Sequence, residues 1–325
     1  MSTIPELSWK DSGLTPYGRM PTLAVPSDAA PDDWTNEASY LPWRAAMLAL
    51  FSRVLWPVCD VQNQMWRGDA VAEMKRLTLA DLGLLQQIRQ PRARLIDTLP
   101  ISPLRHLACP PPRIFFEGED VGPAKTVEWL RFYDRDANKD LILDAIPVLM
   151  SRGMSRKAPT GMIYWFKQQL QRPRPYQTSL LLDVDVTYQA ATTGLHPALV
   201  SGHCLQGVAA LMAVLERFTL DQVPLSPSIV QYLLDFGDRR VMAGVHYPSD
   251  NLASWILALE LCDYAVAPAV RRQVKQHVWH AIRDQSLIYR RIANFARDNS
   301  DSPFAVLLDE LRRRGDSAMA LEEVE

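Results

Sequence analysis

From Leu41 onward, apolar residues return every third or fourth position in long runs: 41–56, 62–76, 78–97, 121–133, 139–153, 158–171, 203–218, 227–243, 249–266, 268–296 and 303–314. That period gives each segment one apolar face, which a helix buries by packing on other helices. Strand signals are weak by comparison. Leu180 to Tyr188 alternates with Asp183 and Asp185, but the run is isolated and reads as a loop or one small hairpin arm. The predicted fold is therefore an all-α helical bundle. Pro100, Pro103 and Pro110 to Pro112 break the helices and set an N-terminal layer apart from a C-terminal bundle. Both layers are assigned to a single domain over residues 41–325. Residues 1–40, with Pro5, Pro16, Pro21, Pro26 and Pro31 among polar neighbours, read as an irregular arm. Such an arm can wrap the body or a second copy, so it is the expected route to a homo-oligomer.

With 325 residues, 48% of them hydrophobic, the chain can bury a sizeable core. A formal net charge of -2 gives no general attraction to nucleic acid or to an anionic membrane, so any anion site must be built locally. Cys59, Cys109, Cys204 and Cys262 lie far apart without a CxxC pair, which predicts reduced core thiols rather than a disulfide framework or a zinc site. The N-terminus lacks the basic start and apolar run of a secretory signal, and a cytoplasmic location is expected. No transmembrane segment is expected either. Ala45 to Val58 is short and holds Arg53, while Leu252 to Val270 holds Glu260 and Asp263 and reads as a core helix. The alternating Asp134, Asp136, Asn138 and Asp140 resemble a calcium loop. With Lys139 at the glycine position and Ala145 at the glutamate position, the segment reads instead as a polar turn capping a helix.

Three short segments carry the chemistry. In the first, Lys167 and Arg174 are six residues apart and Pro175 follows. A helix ending near 171 would leave Arg172 to Pro175 as an extended strap, with both cations turned to one cavity. In the second, Val200-Ser201-Gly202-His203 precedes an apolar helical run. Ser201 and Gly202 would stand at a helix N-terminus, where free N–H groups favour an anion and glycine admits its oxygens. In the third, Arg240 is followed after five residues by His246, and after three more by Asp250. His246 and Asp250 would either stack on one helical face or, with Asp250 at a helix start, let the carboxylate reach back to the imidazole. Either pairing fixes one ring nitrogen as donor and leaves the other as nucleophile or base. Each segment alone has an ordinary reading: dipole-complementing cations, a serine helix cap, a structural His-Asp pair. Their occurrence together, in this order, does not.

The three segments resemble the K-x6-RP, PSGH and SR-x5-H-x3-D signatures of the type-2 phosphatidic acid phosphatase and vanadium haloperoxidase superfamily. The resemblance covers about 158–266, with Val200 in place of the usual proline and Arg239 in place of the usual serine. It implies a helical bundle of the acid phosphatase type and a soluble phosphohydrolase. It also implies that His246 forms a phosphohistidine, Asp250 orients it, and His203 protonates the leaving oxygen and then activates water. Lys167, Arg174, Ser201, Gly202 and Arg240 would hold the phosphate oxygens. No metal or other cofactor is required by that scheme.

Two other readings use the same residues. Vanadate, a phosphate mimic, would serve as cofactor if the chain were a haloperoxidase, but Val245-His246-Tyr247-Pro248-Ser249-Asp250 looks more like the phosphatase branch. A non-hydrolytic phosphate-binding protein or helical scaffold would need only the cations, not His203, His246 and Asp250. The expected substrate is a small phosphate ester or an isoprenoid or lipid diphosphate. Trp56, Trp66, Trp129, Trp165 and Trp255 would line an apolar pocket or, as aromatic residues at helical spacing usually do, simply fill the core. Arg239 reads as a solvated arginine, with contact to a second phosphate as the alternative. Cys204 reads as a small packing residue at a helix start.

Overall fold

The computed structural model describes residues 41–55, 69–89, 163, 166, 167, 169–184, 186, 197–220, 225 and 227–316. Among them every regular element is an α-helix: α1 Leu41–Val54, α2 Asp69–Arg89, α3 Pro175–Leu182, α4 Gly202–Leu220, α5 Pro227–Met242, α6 Pro248–Ala265, α7 Arg271–Gln285, α8 Leu287–Asp298 and α9 Ala305–Asp316. The all-α class read from periodicity is the class observed. The arm 1–40, the proline-rich stretch 100–112, the segments 121–133 and 139–153 and the acidic run 134–140 lie outside the described residues, as do Cys59, Cys109, Trp56, Trp66, Trp129 and Trp165.

Three local expectations are corrected. The runs 62–76 and 78–97 are not separate helices meeting near residue 77, because α2 passes straight through that point. Its apolar stripe continues through Leu77, Leu84, Leu85 and Ile88, and no proline interrupts it. The run 268–296 divides at Ser286, whose hydroxyl accepts the Tyr289 N–H at 3.0 Å and starts α8. The region from Leu180, read as loop or strand, contains the end of α3. Pro175 at the first helical position and Gln177 two residues on, accepting the Arg174 N–H at 2.7 Å, start that helix, and Asp183 in a left-handed conformation (φ 53°) closes it.

α6 is the central element, buried along almost its whole length and packed against α2, α4, α5, α7, α8 and α9. That burial explains the apolar composition of Leu252 to Val270. No described helix is long and apolar enough to cross a membrane. α4 and α5 form an antiparallel pair whose approach depends on two glycines. A Cβ on Gly207 would stand 2.2 Å from the Leu233 carbonyl oxygen, and one on Gly237 would stand 2.7 Å from Cys204 Sγ. The glycine contacts place the C-terminal end of α5, with Arg239 and Arg240, beside the N-terminal end of α4, with Ser201, Gly202 and His203.

Gly207→Ala forces two helix backbones apart, and overpacking of this kind costs about 1–3 kcal/mol. Urea denaturation of the variant should show a lower midpoint at unchanged m; an unchanged midpoint would contradict the close α4–α5 contact.

Candidate active site

The spacing of the third motif has a direct structural cause. α5 ends at Met242, Gly244 takes φ 76°, and the Arg240 carbonyl accepts the N–H groups of Val245 (3.2 Å) and His246 (3.3 Å). Pro248 then opens α6, so Asp250 is its third residue. From there Asp250 Oδ2 accepts the Tyr247 N–H and the His246 Nδ1–H, each at 3.0 Å. On the other side of the ring, Arg174 Nη1 lies 2.8 Å from His246 Nε2. A guanidinium has no lone pair to offer, so Nε2 is the acceptor and the ring proton sits on Nδ1. Arg174 Nη1 also donates to the Val245 carbonyl at 2.6 Å.

The first motif is built on a helix end. Lys167 lies in helical backbone, the Gln171 N–H returns to the Lys167 carbonyl at 3.0 Å, and Gln171 at φ 50° stops the turn. Residues 172–174 follow without regular secondary structure, and Arg174, in an extended conformation, precedes α3. Lys167 Nζ donates to the Pro197 carbonyl and, at 3.2 Å, to the Ala198 carbonyl, while the Ala198 N–H donates to the Arg172 carbonyl at 2.7 Å. The strap therefore holds the chain leading into the second motif.

That motif sits at the start of α4, where Ser201 accepts the Leu205 N–H at 3.0 Å. Ser254 Oγ ties it to the third motif through the carbonyls of Ser201 (3.0 Å) and Asp250 (2.9 Å). Ser201 Oγ is buried and has no hydrogen-bond partner among the described residues. A Cβ on Gly202 would meet the Ile163 side chain at 3.3 Å, so this backbone is pressed against a residue four positions before Lys167. His203 is buried in the same first turn. Lys167, Arg174, Arg240, His246 and Asp250 are each at most 5% exposed. Their fields overlap: Lys167 feels Arg174 and Asp250, Arg174 feels Arg240 and Asp250, and His246 feels Arg174, Asp250 and Lys167.

The protonation equilibria follow from that crowding. Burial, then the cations Arg174 and Lys167, hold His246 well below the usual imidazole range against the opposing pull of Asp250. Burial, then Arg174, push Lys167 well below its ordinary value. Arg174 is brought down to about 10, mainly by burial, and remains a cation at neutral pH. Burial would raise Asp250, but Arg172 and His246 outweigh it and bring the carboxyl to about 2.

Two residues that the sequence reading passed over prove to be part of this network. Arg172, fully buried, donates through Nη1 to Asp250 Oδ1 and Ser249 Oγ and through Nη2 to Asp81 Oδ2, each at 2.8 Å, and its guanidinium lies 3.9 Å from the centre of the Tyr247 ring. Asp81, also fully buried, belongs to α2 and takes the Ser249 N–H at 3.0 Å as well as the Ser249 hydroxyl. The available signal was a lone carboxylate on the apolar stripe of α2. Arg239 corrects another expectation: it is buried, not solvated, and faces the rings of Phe236 (5.0 Å) and Tyr232 (6.0 Å). Trp255 lies in the core, edge-on to Tyr289. Cys204 is a buried packing residue whose thiol is pushed well above its ordinary range, chiefly by burial. Among the described residues, no three His, Cys, Asp or Glu side chains stand together as metal ligands.

Comparison with family models matches residues 154–273 to the PAP2 superfamily. No curated protein and no solved structure matches the chain.

Acid should weaken the fold through this site. His246 has its full effect as a neutral ring above about pH 6.5; below that, the unfolded chain takes up a proton that the folded site resists, and stability falls. Asp250 adds a contribution that is complete above its ordinary 3.8 and is lost as pH falls through about 2. Urea midpoints between pH 7 and pH 5 should fall more steeply for the wild type than for His246→Gln. Equal slopes would contradict the burial of a neutral imidazole.

Proposed function

For a chain whose residues 154–273 belong to the PAP2 superfamily, we propose a phosphatase that cleaves phosphate esters or diphosphates through a phosphohistidine on His246. The observation that carries the reading is the fixed tautomer: Nδ1–H is held by Asp250, and the Nε2 lone pair faces the cationic side of the cluster. Nε2 attacks phosphorus and Arg174 passes its N–H from the ring to a phosphoryl oxygen. The P–O bond to the leaving group breaks, and His203 supplies the proton that the departing oxygen needs. Water, deprotonated by His203, then cleaves the P–N bond and returns inorganic phosphate and neutral His246.

Lys167, Arg174, Arg240, the Ser201 hydroxyl and the Gly202 N–H are the donors for the equatorial oxygens, on which charge is spread in the transition state. A bound dianion offsets the mutual repulsion of the cations and favours the charged form of Lys167, which burial disfavours. The scheme routes no step through a metal ion, and tetrahedral vanadate suits the same donors as a phosphate mimic. Substrates within this reading are small phosphomonoesters and isoprenoid or lipid diphosphates. Cytoplasmic action is part of the proposal, supported by the wide spacing of the four cysteines.

Purified protein should hydrolyse p-nitrophenyl phosphate in the presence of EDTA, with an optimum on the acid to neutral side. His246→Ala should abolish turnover and acid-labile phosphoprotein alike, and Arg174→Ala should lower kcat about 10²- to 10³-fold. Unchanged hydrolysis by His246→Ala would refute the nucleophile assignment. Bromide oxidation after vanadate loading, without ester cleavage, would favour the haloperoxidase reading.

A further inference from the structure

We propose that Asp81 is a positioning residue for the His246 nucleophile, acting from α2, outside the family-matched segment, by holding the Arg172 guanidinium that clamps Asp250. The inference rests on the reading of His246 as the attacking group.

The geometry is a continuous chain of charge-assisted hydrogen bonds. Asp81 Oδ2 receives Arg172 Nη2 at 2.8 Å, Arg172 Nη1 donates to Asp250 Oδ1 at 2.8 Å, and Asp250 Oδ2 receives the His246 Nδ1–H at 3.0 Å. Asp81, Arg172 and Asp250 have no exposed side-chain surface, so water cannot replace a lost partner. The division of labour on Asp250 is specific, since Arg172 occupies Oδ1 and leaves Oδ2 to the imidazole and the Tyr247 N–H.

Guanidinium and carboxylate pair most strongly as two parallel bonds. Arg172 is kept from that arrangement with Asp250 because its second nitrogen is committed to Asp81. With that commitment removed, Arg172 can take both oxygens of Asp250 and compete with His246 for Oδ2. The ring would then lose the acceptor for its Nδ1–H, and with that proton buried and unpaired the Nδ1 tautomer favoured by Arg174 is no longer the single low-energy one. Asp81 also holds the first turn of α6 through the Ser249 N–H, so helix start and ring orientation share one buried anchor. Burial pushes the Asp81 carboxyl above its ordinary range, against the opposing pull of Arg172 and Ser249.

The test reads the ring directly. In ¹⁵N-histidine-labelled protein near neutral pH, with the signal assigned by His246→Gln, the wild type should show one His246 tautomer, protonated at Nδ1. Asp81→Asn, checked for a native circular dichroism spectrum and a cooperative melt, should show both tautomers. On p-nitrophenyl phosphate its kcat should fall about 10- to 100-fold, while KM changes less than about threefold. Folded Asp81→Asn with the wild-type tautomer would overturn the proposal. Should Asp81→Asn fail to fold, Arg172→Lys, which keeps the charge but cannot bridge two carboxylates in the same geometry, should give the mixed tautomer. A single tautomer there, or loss of the fold in both variants, would reduce the pair to a structural role and overturn the assignment. The tautomer does not depend on turnover. A wild type that cleaves no ester therefore fails the proposed function, while the ring signal still decides whether Asp81 positions His246.

Discussion

The site depends on one buried carboxylate. Asp250 has no exposed surface, and leaving an ion in that position without partners would cost several kcal/mol. The fold supplies an arginine fork on one oxygen, and an imidazole and a backbone N–H on the other. The same contacts fix the histidine proton on Nδ1 and the order of the first turn of α6. The proposed nucleophile, a helix start and an ion pair are therefore a single structure, and none can be altered without disturbing the others.

Much of this was legible because the spacings are short and local. Five residues between Arg240 and His246 are the length of chain needed to end α5, turn at Gly244 and come back under the Arg240 carbonyl. Three residues between His246 and Asp250 place the carboxylate at the third helical position behind Pro248, where it can reach back. The helical class follows equally from a period that each segment carries alone. By contrast, Arg172 and Asp81 are 91 positions apart, and nothing near either residue announces the other. A carboxylate on the apolar stripe of α2 signals a buried partner but not its identity. Arg239 was misread because a charged residue at a helix end is ordinarily solvated, whereas here the neighbouring aromatic rings cover it. The reading of Leu180 to Tyr188 as a loop or small hairpin arm missed the last turn of a proline-started helix, which runs to Leu182, because the alternating aspartates just beyond it mimic a two-residue period.

The supports of the site also reach beyond residues 154–273. On one side α2 contributes Asp81. On the other, Asp238, two residues before Arg240, accepts the Ser286 hydroxyl and the Leu287 and Ile288 N–H groups at the start of α8. The close α4–α5 approach at Gly207 and Gly237 then sets the distance from Arg240 to the start of α4. Layers that carry no motif of their own thereby determine where the motif residues stand.

The central claim is that Lys167, Arg174, Arg240, the start of α4 and His246 Nε2 surround a single tetrahedral anion. A crystal structure of the protein soaked in orthovanadate tests it most directly. The account predicts vanadium bonded to His246 Nε2, with its equatorial oxygens on Lys167, Arg174, Arg240 and the Ser201-Gly202 turn. Vanadate bound elsewhere, or His246 and Arg240 opening into separate cavities, would contradict it.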